Sequence, residues 1–416
     1  MLSYLMSNLK TKSMHKSQQP MGFFSLLAIV IGTMVGIGIF IAPALTMQYG
    51  FYGAISCTIA GLLCIGLAIM FGELSKISFA SGPSGFTYQA FGKIASLEVA
   101  ILHWLGFICA QVLTIYTLGV YSNPEYTYYI AFTILILISL MNAFWPKIAD
   151  SMQVSLTALK VALVFFVIAV GLSSFKPSDI HLSALSPKAT SHIILSGLSG
   201  FVIAFAGLEL ATLPSVAIRN PKFTVPAATI IGTIVTAILT SSVYTVVMNV
   251  LLKHHVHVSS RPIYDVLSLL VNQKIMMAFI AAFVVACLSS VNGILSAQSF
   301  VLKNAATINL LPYKFKETNA SNQPVYAIAF STIASLLLLM LMHLQICTMH
   351  HIALTSSLCF ALVYFFSTIS YIKLRGSKLL FTLNLITSML LLYGVIISSH
   401  HAIYLIMILI LIAMIF

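Results

Sequence analysis

The stretch Ile31-Gly32-Thr33-Met34-Val35-Gly36-Ile37-Gly38-Ile39-Phe40-Ile41-Ala42-Pro43 lies inside the first long apolar run of the chain. Three glycines and a proline weaken a helix severely. An interior glycine costs about 1 kcal/mol relative to alanine, and proline removes a backbone donor. In a run long enough to cross a bilayer, unwound backbone is tolerated only where protein or a cavity satisfies it. Gly32 and Gly36 also form a small-xxx-small pair, which suits close helix packing. Packing accounts for Gly32 but not for Gly36-Ile37-Gly38 followed by Pro43. The stretch therefore predicts a first span that is broken in mid-membrane.

A second stretch has the same character. Gly200-Phe201-Val202-Ile203-Ala204-Phe205-Ala206-Gly207-Leu208-Glu209-Leu210, followed by Pro214, lies inside the sixth apolar run. It carries Glu209, a carboxylate near the middle of a span. A broken helix exposes N–H groups at a positive dipole end and carbonyls at a negative end. A zwitterion needs one of each.

The rest of the chain frames these breaks. Of 416 residues, 60% are hydrophobic and 7% charged, against about 25% charged in ordinary soluble domains. A soluble domain, a nucleic-acid binder and a disordered chain are excluded. Apolar runs fall near 22–48, 52–74, 96–121, 126–145, 151–175, 192–217, 226–252, 275–304, 324–344, 350–372, 379–398 and 401–416. At about 20 residues per crossing they predict twelve spans, the last of them short. The two breaks open successive groups of five, spans 1–5 and 6–10. Interrupted helices at matching positions of two halves point to the binding site of an inverted-repeat transporter. The predicted organisation is a cytoplasmic tail (1–21), a first five-helix repeat (22–175), a second (176–373) and two further helices (374–416).

The net charge of +12 reads as orientation rather than nucleic-acid binding. With the N-terminus inside, the inside segments hold Lys10, Lys12, Lys16, Lys76, Lys93, Lys147, Arg219, Lys222, Lys303, Lys314, Lys316, Lys373, Arg375 and Lys378. The outside segments hold Lys176, Lys188, Lys253, Arg261 and Lys274. The positive-inside rule puts both termini in the cytoplasm. Lys160 alone falls within a span, nine residues into the fifth, too deep to snorkel easily.

At these residues the chain resembles the amino acid–polyamine–organocation (APC) superfamily of transporters. Gly36-Ile37-Gly38-Ile39-Phe40 with Pro43 is similar to the family's first-helix motif. Glu73-Leu74, Ser81-Gly82-Pro83-Ser84-Gly85-Phe86-Thr87-Tyr88 and Phe91-Gly92 resemble the loop after helix 2. Phe205-Ala206-Gly207-Leu208-Glu209 resembles the sixth-helix motif. Arg219-Asn220-Pro221-Lys222 with Pro226 resembles the segment that follows it. Leu310-Leu311-Pro312 and Gln323-Pro324-Val325 resemble the helix 8–9 link. Around Leu102-His103-Trp104-Leu105 and the eighth helix the look is that of basic amino acid and polyamine antiporters, such as the arginine/agmatine exchanger. The fold implied is all-α and polytopic, a LeuT-type five-plus-five inverted repeat with two C-terminal helices. The implied setting is a bacterial inner (plasma) membrane. The implied partners are a small amino acid or amine, protons and the bilayer, with a homodimer left open. No cofactor or metal is implied.

The resemblance maps a carboxylate site onto the N–H groups of Gly36, Ile37 and Gly38, and an amine site onto the carbonyls of Met34, Ile203 and Ala206. The exchanger's aromatic gates are absent: Ile203 and Ile294 stand where it has Trp, Ile352 replaces an aromatic, and Cys359 replaces a hydroxyl. Cationic head groups gain by stacking on aromatic faces, so arginine and agmatine are put in doubt. Phe205 and Phe107 are candidate gates or core residues. Gln111 and Asn292 are candidate pocket residues or interhelical glue.

A carboxylate within a span costs roughly 2.5–3.5 kcal/mol on insertion scales, so Glu209 must be protonated or paired. His103 stands where the exchanger has a Tyr near this Glu. The pair reads as a proton relay or as a static lock between helices. Lys160 resembles a fifth-helix Lys of proton-coupled, sodium-independent members, whose ammonium occupies the place of a sodium ion. The alternative is a structural cation between helix 1 carbonyls and the hydroxyls of Ser289 and Ser290.

The six cysteines (Cys57, Cys64, Cys109, Cys287, Cys347, Cys359) lie in or beside apolar runs without metal-ligand spacing and read as free thiols. Ten of twelve histidines (His181, His192, His254, His255, His257, His343, His350, His351, His400, His401) cluster at the outside, where a solvated surface is the first reading and pH gating the second. A membrane enzyme would need a motif such as G-x-S-x-G or H-E-x-x-H, and a pump a phosphate-binding loop; neither is present. A channel would need filter rings. The leading expectation is a secondary active transporter of amino acids or amines, proton-coupled or exchanging, and sodium-independent.

Overall fold

Long apolar runs with few charges have one economical form in lipid, the helix, because it satisfies its own backbone. The computed structural model describes residues 21–78, 81–175, 187–213, 218–256, 259–374 and 376–398. Among them eleven helices are long and apolar enough to cross a membrane. Span 1 is Phe23–Thr46, span 2 Gly50–Ile77, span 3 Lys93–Ser122, span 4 Thr127–Phe144, span 5 Pro146–Ser174 and span 6 begins as Pro187–Val202. Span 7 is Pro221–Lys253, span 8 Gln273–Thr307, span 9 Val325–His343, span 10 Met349–Lys373 and span 11 Lys378–Ser398. Short helices Gly82–Phe91 and Pro262–Leu270 link spans 2–3 and 7–8. The predicted twelfth span and residues 1–20 of the tail lie outside the described residues.

Local chemistry sets several helix starts. Pro146 and Pro221 occupy the first position of spans 5 and 7, where a missing N–H matters least. Asn272 caps span 8 by accepting from the Ile275 N–H at 2.9 Å. Thr348 does the same for span 10 from His351, at 3.3 Å.

Spans 1, 2, 6 and 7 pack together: 2 on 7, 1 on 7, and 2 on 6. Spans 3, 5, 8 and 10 form another set: 3 on 8, 3 on 10, and 5 on 8. Spans 4 and 9 touch each other and flank spans 3 and 8. Exchanging 1–5 with 6–10 turns each of these contacts into another on the same roster. Span 11 packs on spans 2, 6 and 10.

Span 1 corrects the sequence reading. It is one continuous α-helix through Gly32, Gly36, Gly38 and Pro43. Its three glycines are places of close approach. A Cβ on Gly32 would fall 2.2 Å from Thr157 Oγ1, one on Gly36 1.7 Å from Ser290 Oγ, and one on Gly38 2.6 Å from the Ala204 Cβ. Spans 5, 8 and 6 therefore press directly on the helix backbone and support it where propensity is poor. Pro43 sits three residues before the helix ends, so few helical bonds lie beyond it. The N–H groups of Gly36, Ile37 and Gly38 are turned into the helix, each towards the carbonyl four residues back. In this conformation they do not form an open carboxylate site.

Gly36→Ala is accordingly expected to impair transport far more than Gly22→Ala. No heavy atom lies within 4 Å of a Cβ built on Gly22. Overpacking of this kind costs roughly 1–3 kcal/mol, and uptake assays beside thermal unfolding of both variants measure it.

Candidate functional site

Span 6 does break. Its α-helix stops at Val202, and 3-10 turns Ile203–Phe205 and Leu208–Thr212 follow. Between them Ala206 is extended (ψ 128°) and Gly207 takes φ 109°, a conformation side chains oppose. The Ala206 N–H donates to the Ile203 carbonyl at 3.2 Å and the Leu210 N–H to the Gly207 carbonyl at 3.0 Å. The turn brings Glu209 back onto its own break.

Glu209 is fully buried and meets groups from three spans. His103 Nε2 of span 3 lies 3.0 Å from its Oε1. Tyr364 of span 10 donates its hydroxyl to Oε2 at 3.1 Å, and the Gly207 N–H reaches the same oxygen at 3.3 Å. His103 and Glu209 are the one acid–base pair within salt-bridge distance whose members both lie among the described residues. His103 Nδ1 is buried without a partner. The imidazole is packed by Phe107, 4.7 Å between ring centroids, and by Phe360 at 6.0 Å. The arrangement can hold one proton between carboxylate and imidazole with a phenol as third member. Tyr364 did not stand out in the sequence. It is one of 17 tyrosines, 155 residues from Glu209, and no motif marks it.

Lys160, also fully buried, donates from Nζ to the Gly32 carbonyl of span 1 at 2.7 Å and to Ser290 Oγ of span 8 at 2.5 Å. Ser290 in turn donates to the same carbonyl at 3.1 Å. Ser289 bonds within its own helix, to Ala286, and takes no part.

Met34, Ile203, Phe205, Ala206, Ile294 and Cys359 are all buried, so the region between span 1 and the break is packed shut. Phe205 reaches towards span 2, its ring tip 3.3 Å from a Cβ built on Gly61. Phe107 packs on His103 and Phe360. Gln111 is buried and neither amide atom has a partner. Asn292 instead joins a polar network. It accepts from Asn142 Nδ2 of span 4 at 2.7 Å and donates to the Ala149 carbonyl and Gln153 Oε1 of span 5, both at 3.2 Å.

A cavity of about 420 Å³ opens beside this network. It is lined by Ile29 near the start of span 1, by Gln153, by Leu210 past the break, by Gly293, and by Lys303 towards the end of span 8. This is the end of the molecule where the sequence gathers its basic residues. At the other end, near Thr46, Tyr49, Gly200 and His350, a void of only about 10 Å³ is found. Among the described residues no group of three His, Cys, Asp or Glu is placed to hold a metal, and the six cysteines are free. His181, His257, His400 and His401 lie outside the described residues.

Comparison with known proteins adds a family. The family profile described as "Amino acid permease" matches residues 21–416. The chain is 24% identical over 372 residues to a gamma-aminobutyric acid permease of Bacillus subtilis, covering 83% of this chain and 78% of that one. It is 24% identical over 375 residues to the amino-acid permease AapA of the same organism, covering 84% and 80%. It is 27% identical over 364 residues to a putative arginine/ornithine antiporter, also from Bacillus subtilis, covering 76% and 75%.

Proposed function

The chain belongs to the amino acid permease family, and we propose that it is a proton-coupled or exchanging carrier that needs no sodium and opens its site to one side of the membrane at a time. It is an integral membrane transporter of amino acids, not an enzyme. The observation that carries the finer reading is the Lys160 ammonium, held by a span 1 carbonyl and a span 8 hydroxyl. A fixed positive charge at that junction leaves no place for a mobile cation. Glu209, tied to His103 and Tyr364 at the span 6 break, supplies a second buried ionisable group through which protons can act.

The substrate is proposed to bind between Met34–Gly38 of span 1 and Ile203–Gly207 of span 6, beside Gln111, Ile294 and Cys359. Binding requires span 1 to open at Gly36–Gly38 so that its N–H groups meet a carboxylate. The unpartnered Gln111 amide supports a polar contact there. The exchangeable contacts of spans 1–5 and 6–10 support two repeats (22–175 and 176–373), with 374–416 outside them. We assign the open cavity and both termini to the cytoplasmic side of a bacterial plasma membrane, and the positive-inside bias of the Lys and Arg residues supports that orientation. Each copy carries its own pathway, so a homodimer would hold two.

Counterflow in proteoliposomes preloaded with individual amino acids and amines tests this reading. Exchange of at least one amino acid is expected. No counterflow with any of them would overturn it.

A further inference from the structure

The cavity at the basic end carries a charge pattern that coupling through Lys160 and Glu209 does not use. Its described lining contains one charged side chain, Lys303, and no carboxylate. Lys303 makes no ion pair among the described residues. At the floor, Gln153 is buried, and its Oε1 accepts from Asn292. That bond leaves Nε2 as the free donor, and it has no partner. Gly293, Ser296, Phe300, Lys303 and Thr307 recur at three- and four-residue steps along span 8 and all line the cavity. They form one stripe from floor to mouth, roughly 15 Å between Gly293 and Lys303 at the α-helical rise.

A cleft with low-dielectric walls and charge of one sign concentrates its field on whatever enters. Here the field favours an anion at the mouth, and the one unsatisfied buried donor among the described lining residues, Gln153 Nε2, lies at the inner end. The volume suits a small molecule with room to move. From this geometry we infer that the cavity is a vestibular binding site for the carboxylate end of a substrate with no net positive charge. Lys303 receives the carboxylate at the mouth and Gln153 Nε2 receives it below the span 6 break. The same field turns away amino acids and polyamines of net positive charge. This inference deepens the transport reading and rests on it.

The test uses the full-length chain in right-side-out and inside-out membrane vesicles, with labelled proteinogenic amino acids and putrescine as probes. Lys303→Gln is expected to raise the half-saturation concentration for neutral or acidic amino acids about tenfold, as losing one charge-assisted hydrogen bond would. The rise should occur in one vesicle type only, that in which added substrate meets the cavity. Lys303→Arg should keep the wild-type value, and Lys314→Gln, at an exposed lysine away from the cavity, should change nothing. Equal losses from both sides, or no loss, would overturn the site. So would a wild type that moves only arginine, lysine or putrescine. A wild type that moves no probe at all would instead remove the transport reading beneath it, so the two failures are distinguishable.

Discussion

Lys160→Met is expected to lower uptake tenfold or more while the protein stays folded. Lys160 Nζ bridges the Gly32 carbonyl and Ser290 Oγ, but Ser290 also donates to that carbonyl directly. Removing the ammonium therefore leaves the carbonyl with a partner. Methionine keeps most of the side-chain volume, and exchanging a buried charge for an apolar group of similar size is often neutral or stabilising. Thermal unfolding of the variant should stay within about 1 kcal/mol of wild type or improve on it. What is lost is the cation that holds span 1 to span 8, which on the proposed coupling role would release them in another state of the cycle. Each bond from a charged donor contributes about 1.5–3 kcal/mol, enough to bias a conformational equilibrium by more than tenfold. A purely structural lysine gives the opposite pattern, a lower unfolding temperature with transport retained. Uptake and unfolding measured on the same preparation separate the two.

Glu209 variants carry the second large effect. Glu209→Ala leaves His103 Nε2 and the Gly207 N–H without a partner in the interior, and the Tyr364 hydroxyl with only the Phe205 carbonyl at 3.5 Å. At about 1–3 kcal/mol for each orphaned group, the loss is several kcal/mol, comparable to the whole stability of many domains. Little folded protein is expected. Glu209→Gln keeps the shape and one acceptor oxygen, so it should fold. Its amide nitrogen, however, cannot accept a proton. Uptake against pH should flatten in this variant if His103 and Glu209 relay a proton, and Tyr364→Phe should shift the profile less. An unchanged profile in Glu209→Gln would make the pair a lock between spans 3 and 6.

The residues made parts of this arrangement legible and hid others for physical reasons. The first eleven spans followed from run length, since lipid permits almost nothing but helices, and the predicted twelfth lies outside the described residues. The span 6 break was legible because Gly207 adopts a positive φ that other residues resist. The same argument failed at span 1. Gly36 and Gly38 serve contact with Ser290 and Ala204 rather than unwinding, and a glycine needed for closeness looks the same in sequence as one needed for bending. Tyr364 and the Asn142–Asn292–Gln153 network join spans more than a hundred residues apart. Their types are common and their pairing is decided only when the helices pack. Asn292 and Gln111 read alike in sequence, yet one is saturated with partners and the other has none.

The most direct test of the coupling account is uptake into sodium-free proteoliposomes of an amino acid that shows counterflow. The external medium is made acidic relative to the lumen, and the run is repeated with an inward sodium gradient. The account predicts accumulation, or exchange, at the same rate in choline as in sodium, with any gradient response coming from protons. Uptake that a sodium gradient stimulates several-fold, with no response to protons, would contradict it.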